Sequence, residues 1–200
     1  MNPIAKKFQN ILKLLFDYLV TILCLLLLLP VIVTLAIVLK ISGEGPVIYS
    51  QERIGRNGKT FVLYKFRSMF LGKDEGIPLL SGHEDKRITE IGRFMRKHKF
   101  DEIPNFINVL KGEMSLVGPR PEQKYYREKI IERDPRYKLL QVIKPGITSW
   151  GQVKFGYATN VEEMIERMEF DLFYLNNKSF GFDMKIALCT LGIIFKGKGI

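Results

Sequence analysis

The chain has 200 residues, 46% of them hydrophobic and 26% charged, with 31 Lys and Arg against 21 Asp and Glu for a formal net charge of +10. That length suits one ordinary domain with at most a short appendage, and the positive balance calls for anionic partners: lipid headgroups, nucleotides, pyrophosphates or nucleic acid. Two cysteines in apolar stretches (Cys24, Cys189) argue against a disulfide framework or thiolate metal site, and two histidines in charged surroundings (His83, His98) against a zinc pair or a Ser-His-Asp triad.

At the start, Ile4, Phe8, Ile11, Leu12 and Leu15 recur at helical spacing, with Lys6, Lys7, Asn10 and Lys13 on the other side. This is the pattern of a helix lying on a membrane surface. Tyr18 to Leu39 then holds 22 residues without a charge, about 33 Å as a straight helix and enough to cross a bilayer core. No small-residue cleavage site follows it, so a secretory signal is not expected. Pro30 removes a hydrogen bond in the middle of the run, where a kink is expected. Basic residues flank both ends, Lys6, Lys7 and Lys13 before and Lys40, Arg53 and Arg56 after, whereas a spanning helix keeps its positive charge on one side. From the residues alone, a helix that returns to its own face and one that spans both remain open.

Val47 to Tyr49 and Thr60 to Tyr64 read as strands of a hairpin turned at Asn57-Gly58. Gly72 to Lys86 reads as a loop. Ile88, Ile91, Phe94 and Met95 mark one face of a basic helix, and a second helix is expected to begin at Asp101 as its N-cap and to end at Lys111-Gly112. Gly118-Pro119-Arg120-Pro121 is stiff and non-helical. A helix follows over 123–133, a turn at Lys144-Pro145-Gly146, and a helix capped by Asn160 with Glu163 three residues on. Phe182 to Phe195 forms a last apolar helix, packed on the core or lying at a membrane interface. The fold class expected is mainly α with a small β-hairpin.

Asp101-Glu102 is the foremost chemical candidate. A helix N-terminus and the cations Arg96, Lys97 and Lys99 would favour ionised carboxylates. An ionised aspartate can attack phosphorus, and two adjacent carboxylates can hold Mg²⁺. Arg120, stiffened by prolines on either side, could meet phosphate in bidentate fashion. Lys65 and Arg67 alternate along a strand and so share a face that could meet a diphosphate or an anionic lipid. For each, a surface salt bridge or a solvated cation is the plainer alternative. Walker A, G-x-G-x-x-G and G-x-S-x-G patterns are missing.

RKHKFDEIPNFINVLKGEMSLVGPRP, from Arg96 to Pro121, resembles the core of bacterial sugar transferases, in particular the small monotopic phosphoglycosyl transferases. GPVIYSQERIGRNGKTFVLYKFRSM, from Gly45 to Met69, and KPGITSWGQV, from Lys144 to Val153, resemble further blocks of that family, so the likeness covers nearly the whole chain. It implies a re-entrant membrane helix broken at Leu29-Pro30 within residues 1–42, and a cytosol-facing catalytic domain over 43–200 at a bacterial inner membrane. It implies transfer of a sugar phosphate from a UDP-sugar to undecaprenyl phosphate with release of UMP and Mg²⁺ as cofactor. Asp101 matches the nucleophile that forms a covalent phosphosugar intermediate, and Glu102 the second dyad member. Arg96, Arg120 and Lys65 match phosphate-contacting cations. Relatives commonly carry Ser-Pro at the break, where this chain has Leu29-Pro30.

The strongest rival is a non-enzymatic, basic, membrane-tethered scaffold that binds anionic lipid. It explains charge and apolar segments but not a carboxylate dyad, a Pro-Arg-Pro turn and an aromatic-basic strand together. Nucleic-acid binding lacks a recognisable module. Oligomeric state, a homodimer included, the sugar and the glycan pathway are left open.

Overall fold

In a computed structural model, residues 3–43, 45–70 and 85–197 are described, with the side chains of residues 3–8 and 10 excepted. The expectations for the loop at 72–84, His83 and the side chains of Ile4, Lys6, Lys7, Phe8 and Asn10 lie outside these. The fold is mainly helical with a small antiparallel sheet. Helix α1 (Pro3–Ile41) leads to strands β1 (Ile48–Ile54) and β2 (Thr60–Phe66). Helix α2 (Glu90–Lys97), a 3-10 turn at Phe100–Glu102 and helix α3 (Asn105–Leu110) follow. Then come β3 (Ser115–Val117), α4 (Lys124–Arg133), α5 (Tyr137–Leu140) and β4 (Gly146–Thr148). Helices α6 (Trp150–Lys154), α7 (Val161–Asn176) and α8 (Phe180–Phe195) close the chain.

Helix α1 bends by 60° between Ile11–Leu27 and Leu29–Ile41, and no single helix among the described residues is long and apolar enough to cross a membrane. Pro30 accounts for the bend, since it lacks the N–H that would complete the ladder. Thr34 Oγ1 donates to Pro30 O at 2.8 Å, a back-bond that bends helices further. The faces of α1 are inverted relative to a soluble helix. Leu15, Leu19, Leu26 and Leu27 are 62–69% exposed, whereas Asp17 and Thr21 are buried. Lys13, expected on the outer polar side, turns inward and donates to Asp183 Oδ2 at 2.6 Å and to Val117 O at 3.3 Å. Two carboxylates buried beside it, Asp17 and Asp183, supply the attraction that reverses its direction.

The hairpin is longer than its apolar pattern: β1 and β2 pair antiparallel from Ile48↔Phe66 to Ile54↔Thr60, carrying the polar stretch Ser50 to Arg53. Asn57 at φ 57 and Gly58 at φ 73 make the reversal, a left-handed pair that Asn and Gly tolerate. Gly146, read as part of a turn, instead opens a strand: β4 runs parallel to β3, Ser115 opposite Gly146 and Val117 opposite Thr148. A Cβ on Gly146 would stand 2.1 Å from Gly118 N, and one on Gly118 would stand 2.4 Å from Lys144 O. Two glycines facing each other let these segments approach, which aims the following Pro119-Arg120-Pro121.

The apolar clusters tie these parts to the dyad. Leu35 and Leu39 of α1 pack with Phe66, Met95 and Ile103, all buried, directly beneath the 3-10 turn. Phe61, Leu63, Val109 and Met114 form a second cluster behind α3. Phe94, read on the same apolar face as Met95, is 53% exposed and stacks on His98 and Phe100 instead. Helix α8 has two faces: Ile186 is fully buried, while Leu188 and Phe195 stand out at 69% and 84% exposure.

Candidate active site

Asp101 is not the N-cap of a helix. It sits with Glu102 in the 3-10 turn, Pro104 holds the cap position of α3, and no side-chain cap bond is made there. The chain enters this turn through Lys99 in the left-handed region, φ 61, an uncommon setting for a residue with a Cβ. That reversal turns the dyad inward, so Asp101 and Glu102 are each only 5% exposed. The turn is fastened to β2 by Asn108. Its Nδ2 donates to Val62 O at 2.6 Å and to Glu113 Oε2 at 2.7 Å, and its Oδ1 accepts from Tyr64 N at 3.3 Å. Lys65, next along β2, is thereby held over the carboxylates.

The two carboxylates differ sharply. Glu102 Oε1 accepts from Lys65 Nζ at 2.6 Å and from Arg120 Nη1 at 3.5 Å, and Lys99 Nζ lies 3.7 Å from Oε2. Burial pushes its carboxyl up, but Lys65, Lys99 and Arg120 together hold it well below the usual carboxylate range. Asp101 accepts no hydrogen bond among the described residues; its nearest cation is Lys65, 4.0 Å from Oδ2. Burial raises the Asp101 carboxyl, and Lys65 offsets that only in part. A buried, basic, unbonded carboxylate beside a locked one is an arrangement suited to nucleophilic attack.

Tyr157, which the sequence reading passes over, completes the cation cluster from 58 residues further along the chain. Its hydroxyl accepts from Lys99 Nζ. Its ring lies under both Lys99 Nζ, at 4.5 Å from the centroid, and the Arg120 guanidinium carbon, at 5.6 Å. Burial works against the charge on Lys99, but Glu102 and Tyr157 outweigh it and leave the ammonium more firmly protonated than usual. Only a loop aromatic following Gly156 at φ 93 hints at this role in the sequence.

Arg120 is aimed by the segment after it. Arg53 Nη1 donates to Pro121 O at 3.2 Å, Ile54 N donates to Glu122 O at 3.0 Å, and Arg167 Nη2 donates to Glu122 Oε1 at 2.5 Å. The other expected cations divide. Arg96 stays near, donating from Nε to Ser68 Oγ at 2.9 Å, and its charge still favours the ionised Asp101. Arg67 is not brought to the dyad. Strand β2 ends at Phe66, so the alternation that would align it with Lys65 stops there. Its Nη2 instead donates to Leu39 O at 2.7 Å, satisfying a carbonyl that α1 leaves unpaired at its C-terminal end.

No group of three His, Cys, Asp or Glu that could hold a metal occurs among the described residues. Mg²⁺ needs less, because it is commonly held by one or two carboxylates and the substrate's own phosphates. The donors here suit it: an unbonded Asp101 carboxylate, Glu102, and Asn105, four residues on in sequence at the start of α3, whose buried Oδ1 has no partner.

The model of the bacterial sugar transferase family matches residues 8–197. The chain is 40% identical over 191 residues to the UDP-glucose:undecaprenyl-phosphate glucose-1-phosphate transferase of Escherichia coli K12, covering 94% of this chain and 40% of that one. It is 36% identical over 183 residues to the UDP-N-acetylgalactosamine-undecaprenyl-phosphate N-acetylgalactosaminephosphotransferase of Aeromonas hydrophila, covering 92% and 43%. It therefore spans about two fifths of the length of these two relatives. With the uncharacterized sugar transferase EpsL of Bacillus subtilis it shares 38% identity over 190 residues, 95% of this chain and 90% of that one. With residues 8–197 matched, the chain belongs to the bacterial sugar transferase family.

Proposed function

We propose that the chain is a phosphoglycosyl transferase that moves a sugar 1-phosphate from a UDP-sugar to undecaprenyl phosphate and releases UMP. The observation that carries this reading is the inequality of the dyad, Asp101 buried and unbonded beside a Glu102 held by Lys65 and Arg120. Asp101 Oδ attacks the sugar-bearing phosphorus, and the bond from that phosphorus to the bridging oxygen breaks, with the electron pair leaving on UMP. An oxygen of undecaprenyl phosphate then attacks the same phosphorus, the bond to Asp101 breaks, and the carboxylate is restored. Neither step needs a proton on Asp101, which suits a site rich in cations. Lys65, Lys99 and Arg120 counter the charge that builds on the phosphoryl oxygens.

Mg²⁺, with Asp101, Glu102 and Asn105 as its candidate holders, would supply charge neutralisation on the diphosphate when bound. The exposed leucines of α1 and the bend between Leu27 and Leu29, just ahead of Pro30, support a re-entrant helix in a bacterial inner membrane, with the catalytic part facing the cytoplasm. A membrane-impermeant label that reaches both ends of α1 from one side is expected; labelling of the two ends from opposite sides would replace re-entry with spanning. The reaction is the first membrane step of a glycoconjugate, whether exopolysaccharide, O-antigen or glycoprotein glycan.

The relatives are named for different sugars, so the test uses a panel of UDP-sugars with undecaprenyl phosphate and Mg²⁺. Sugar-dependent UMP from the wild type and none from Asp101→Asn is expected. UDP in place of UMP would overturn the mechanism.

A further inference from the structure

Away from the dyad, Lys13 turns inward from α1 to Asp17 and Asp183, and three more cations stand around the rim of that buried group. Lys144, just before β4, and Lys178, between α7 and α8, each feel the charges of Lys13, Arg56 and Asp17. Arg56, in the turn of the hairpin, is tied down by its Nε, which donates to Val142 O at 3.1 Å. A Cβ on Gly112 would stand 3.6 Å from both Lys144 Nζ and Tyr18 OH, so two donors converge on a residue that has no side chain.

The acids within this group are already taken up. Asp17 accepts from Ser115 Oγ, and Asp183 accepts from Lys13 and from the Tyr174 hydroxyl. Both carboxylates are buried, whereas Tyr18, Lys144 and Lys178 are half-buried and Arg56 is exposed. Four cations around two carboxylates leave two positive charges uncompensated. Among the described residues the Lys144 and Lys178 ammoniums and the Tyr18 hydroxyl donate no hydrogen bond, and Arg56 donates through Nε alone. Burial holds both ammoniums below the usual lysine range, Lys13 and Arg56 add to this, and Asp17 opposes it. An anion placed among them would relieve that repulsion and accept from every idle donor.

The level of these groups along α1 selects the anion. Lys13 precedes by five residues the uncharged run that begins at Tyr18, about 7.5 Å of helix. The polar layer of a bilayer is about 5–8 Å deep on each side. With the run in hydrocarbon, Lys13 and the cations around it stand among headgroups, and Tyr18 is an interfacial aromatic. Apolar side chains flank the donors: Leu14 and Leu15 follow Lys13 at 41% and 62% exposure, and Leu139 and Val142 beside Arg56 are 53% and 52% exposed. A soluble anion would leave these in water, and acyl chains would cover them.

We propose that Tyr18, Arg56, Lys144 and Lys178 form a binding site for the phosphate of an anionic phospholipid, separate from the dyad. Phosphatidylcholine offers the same phosphate together with a trimethylammonium group, which the surplus positive charge repels, so the site selects a headgroup such as phosphatidylglycerol. The proposal needs α1 to lie in a membrane but not the transferase reaction.

Full-length protein in a neutral detergent is given equal amounts of phosphatidylglycerol and phosphatidylcholine, and native mass spectrometry reads the first lipid retained. The wild type is expected to favour phosphatidylglycerol about tenfold. Lys144→Gln with Lys178→Gln removes both idle ammoniums and is expected to lower that ratio about tenfold. Lys124→Gln with Lys129→Gln on α4 loses the same charge and is expected to leave it unchanged. Lys144→Arg with Lys178→Arg keeps the charge and is expected to keep the preference. Inorganic phosphate in tenfold excess over lipid is expected to displace nothing. No preference in the wild type would overturn the proposal, as would an unchanged ratio in the first variant. An equal fall in the α4 variant would assign the preference to net charge, and displacement by phosphate would make this a site for free anions; either overturns the lipid assignment. Melting temperatures are read on the same samples, and if the first variant unfolds, Lys178→Gln alone is expected to lower the ratio about threefold, an unchanged ratio again overturning the site. UMP release does not enter this readout, so failure of the transferase reading would leave the result standing.

Discussion

Two buried clusters of charge in this protein are built from similar parts and finished differently. At the dyad, three cations, Lys65, Lys99 and Arg120, meet two carboxylates, and Asp101 takes no hydrogen bond among the described residues. Where α1 meets the core, one cation, Lys13, meets Asp17 and Asp183, and the carboxylates are taken up. Ser115 Oγ donates to Asp17 Oδ2 at 2.6 Å, Tyr174 OH to Asp183 Oδ1 at 2.5 Å, and Lys13 to Asp183 Oδ2. A structural cluster spends its hydrogen-bonding capacity on itself, because an unpaired buried oxygen is costly. The dyad cluster keeps a surplus positive charge and an unsatisfied carboxylate, which is the state a phosphate ligand would complete.

Removing one carboxylate from each cluster sets the comparison at its sharpest. Asp101→Asn is expected to lower UMP release by about 10⁴-fold or more with the melting temperature unchanged, as for other nucleophile knock-outs. Asp183→Ala does the reverse. It takes the nearer carboxylate from Lys13 and the acceptor from the Tyr174 hydroxyl, costs about 3–5 kcal/mol, and lowers Tm by roughly 6–20 °C while the folded fraction keeps its turnover. Thermal unfolding in detergent beside UMP assays reads both. A large loss of stability in Asp101→Asn would erase the distinction between the clusters.

Arg120→Ala separates charge stabilisation from scaffolding within the dyad cluster. A loss of about 2–4 kcal/mol from the transition state is expected, seen as a fall in kcat/KM with little change in Tm. Wild-type kinetics would make Arg120 a mere partner of Glu102.

Asp171 extends the structural side of the comparison and gives it a pH signature. Its Oδ1 accepts from Gly151 N at 2.8 Å, and burial raises the carboxyl to about 6, with Gly151 and Arg167 opposing. The folded protein therefore holds a proton that the unfolded chain, near 3.8, releases. The stability this contributes is complete below pH 3.8 and is lost as the pH rises through about 6, a swing of at most about 3 kcal/mol. Asp171→Asn keeps an acceptor for Gly151 and is expected to flatten the Tm profile between pH 4 and 6. A profile identical to the wild type would move that titration elsewhere.

What the sequence disclosed follows from the range of each signal. The hairpin, α4 and the Asn160 cap are local: Asn160 Oδ1 accepts from Glu163 N at 2.8 Å, as a spacing of three predicts. Charge, proline and resemblance single out Asp101, Glu102, Lys65 and Arg120, and the fold brings all four together. The position of Arg67 is not legible because it depends on where β2 stops, which the alternation of residues does not reveal. Helical spacing puts Lys13 outward because it identifies a polar face but not what that face meets. The β3–β4 pair is three residues a side and rests on two glycines in close approach, a feature with no periodicity to read.

Tyr157 belongs to that last kind, and its contribution is the smallest and most specific. Two roles coincide in one side chain: the hydroxyl takes a hydrogen bond from Lys99, and the ring underlies both Lys99 and Arg120. Tyr157→Phe removes the first and keeps the second. A hydrogen bond to a charged group is worth about 1.5–3 kcal/mol, and the retained ring and Glu102 still hold Lys99, so a loss near the lower end, about tenfold in kcat/KM, is expected. Tyr157→Ala removes both and is expected to cost several-fold more, with Tm nearly unchanged in each because the side chain is only partly buried. If Phe were as damaging as Ala, the hydroxyl alone would set the position of Lys99. If Phe were silent, the ring would suffice, and the surplus positive charge at the dyad would be held in place by stacking and by Glu102.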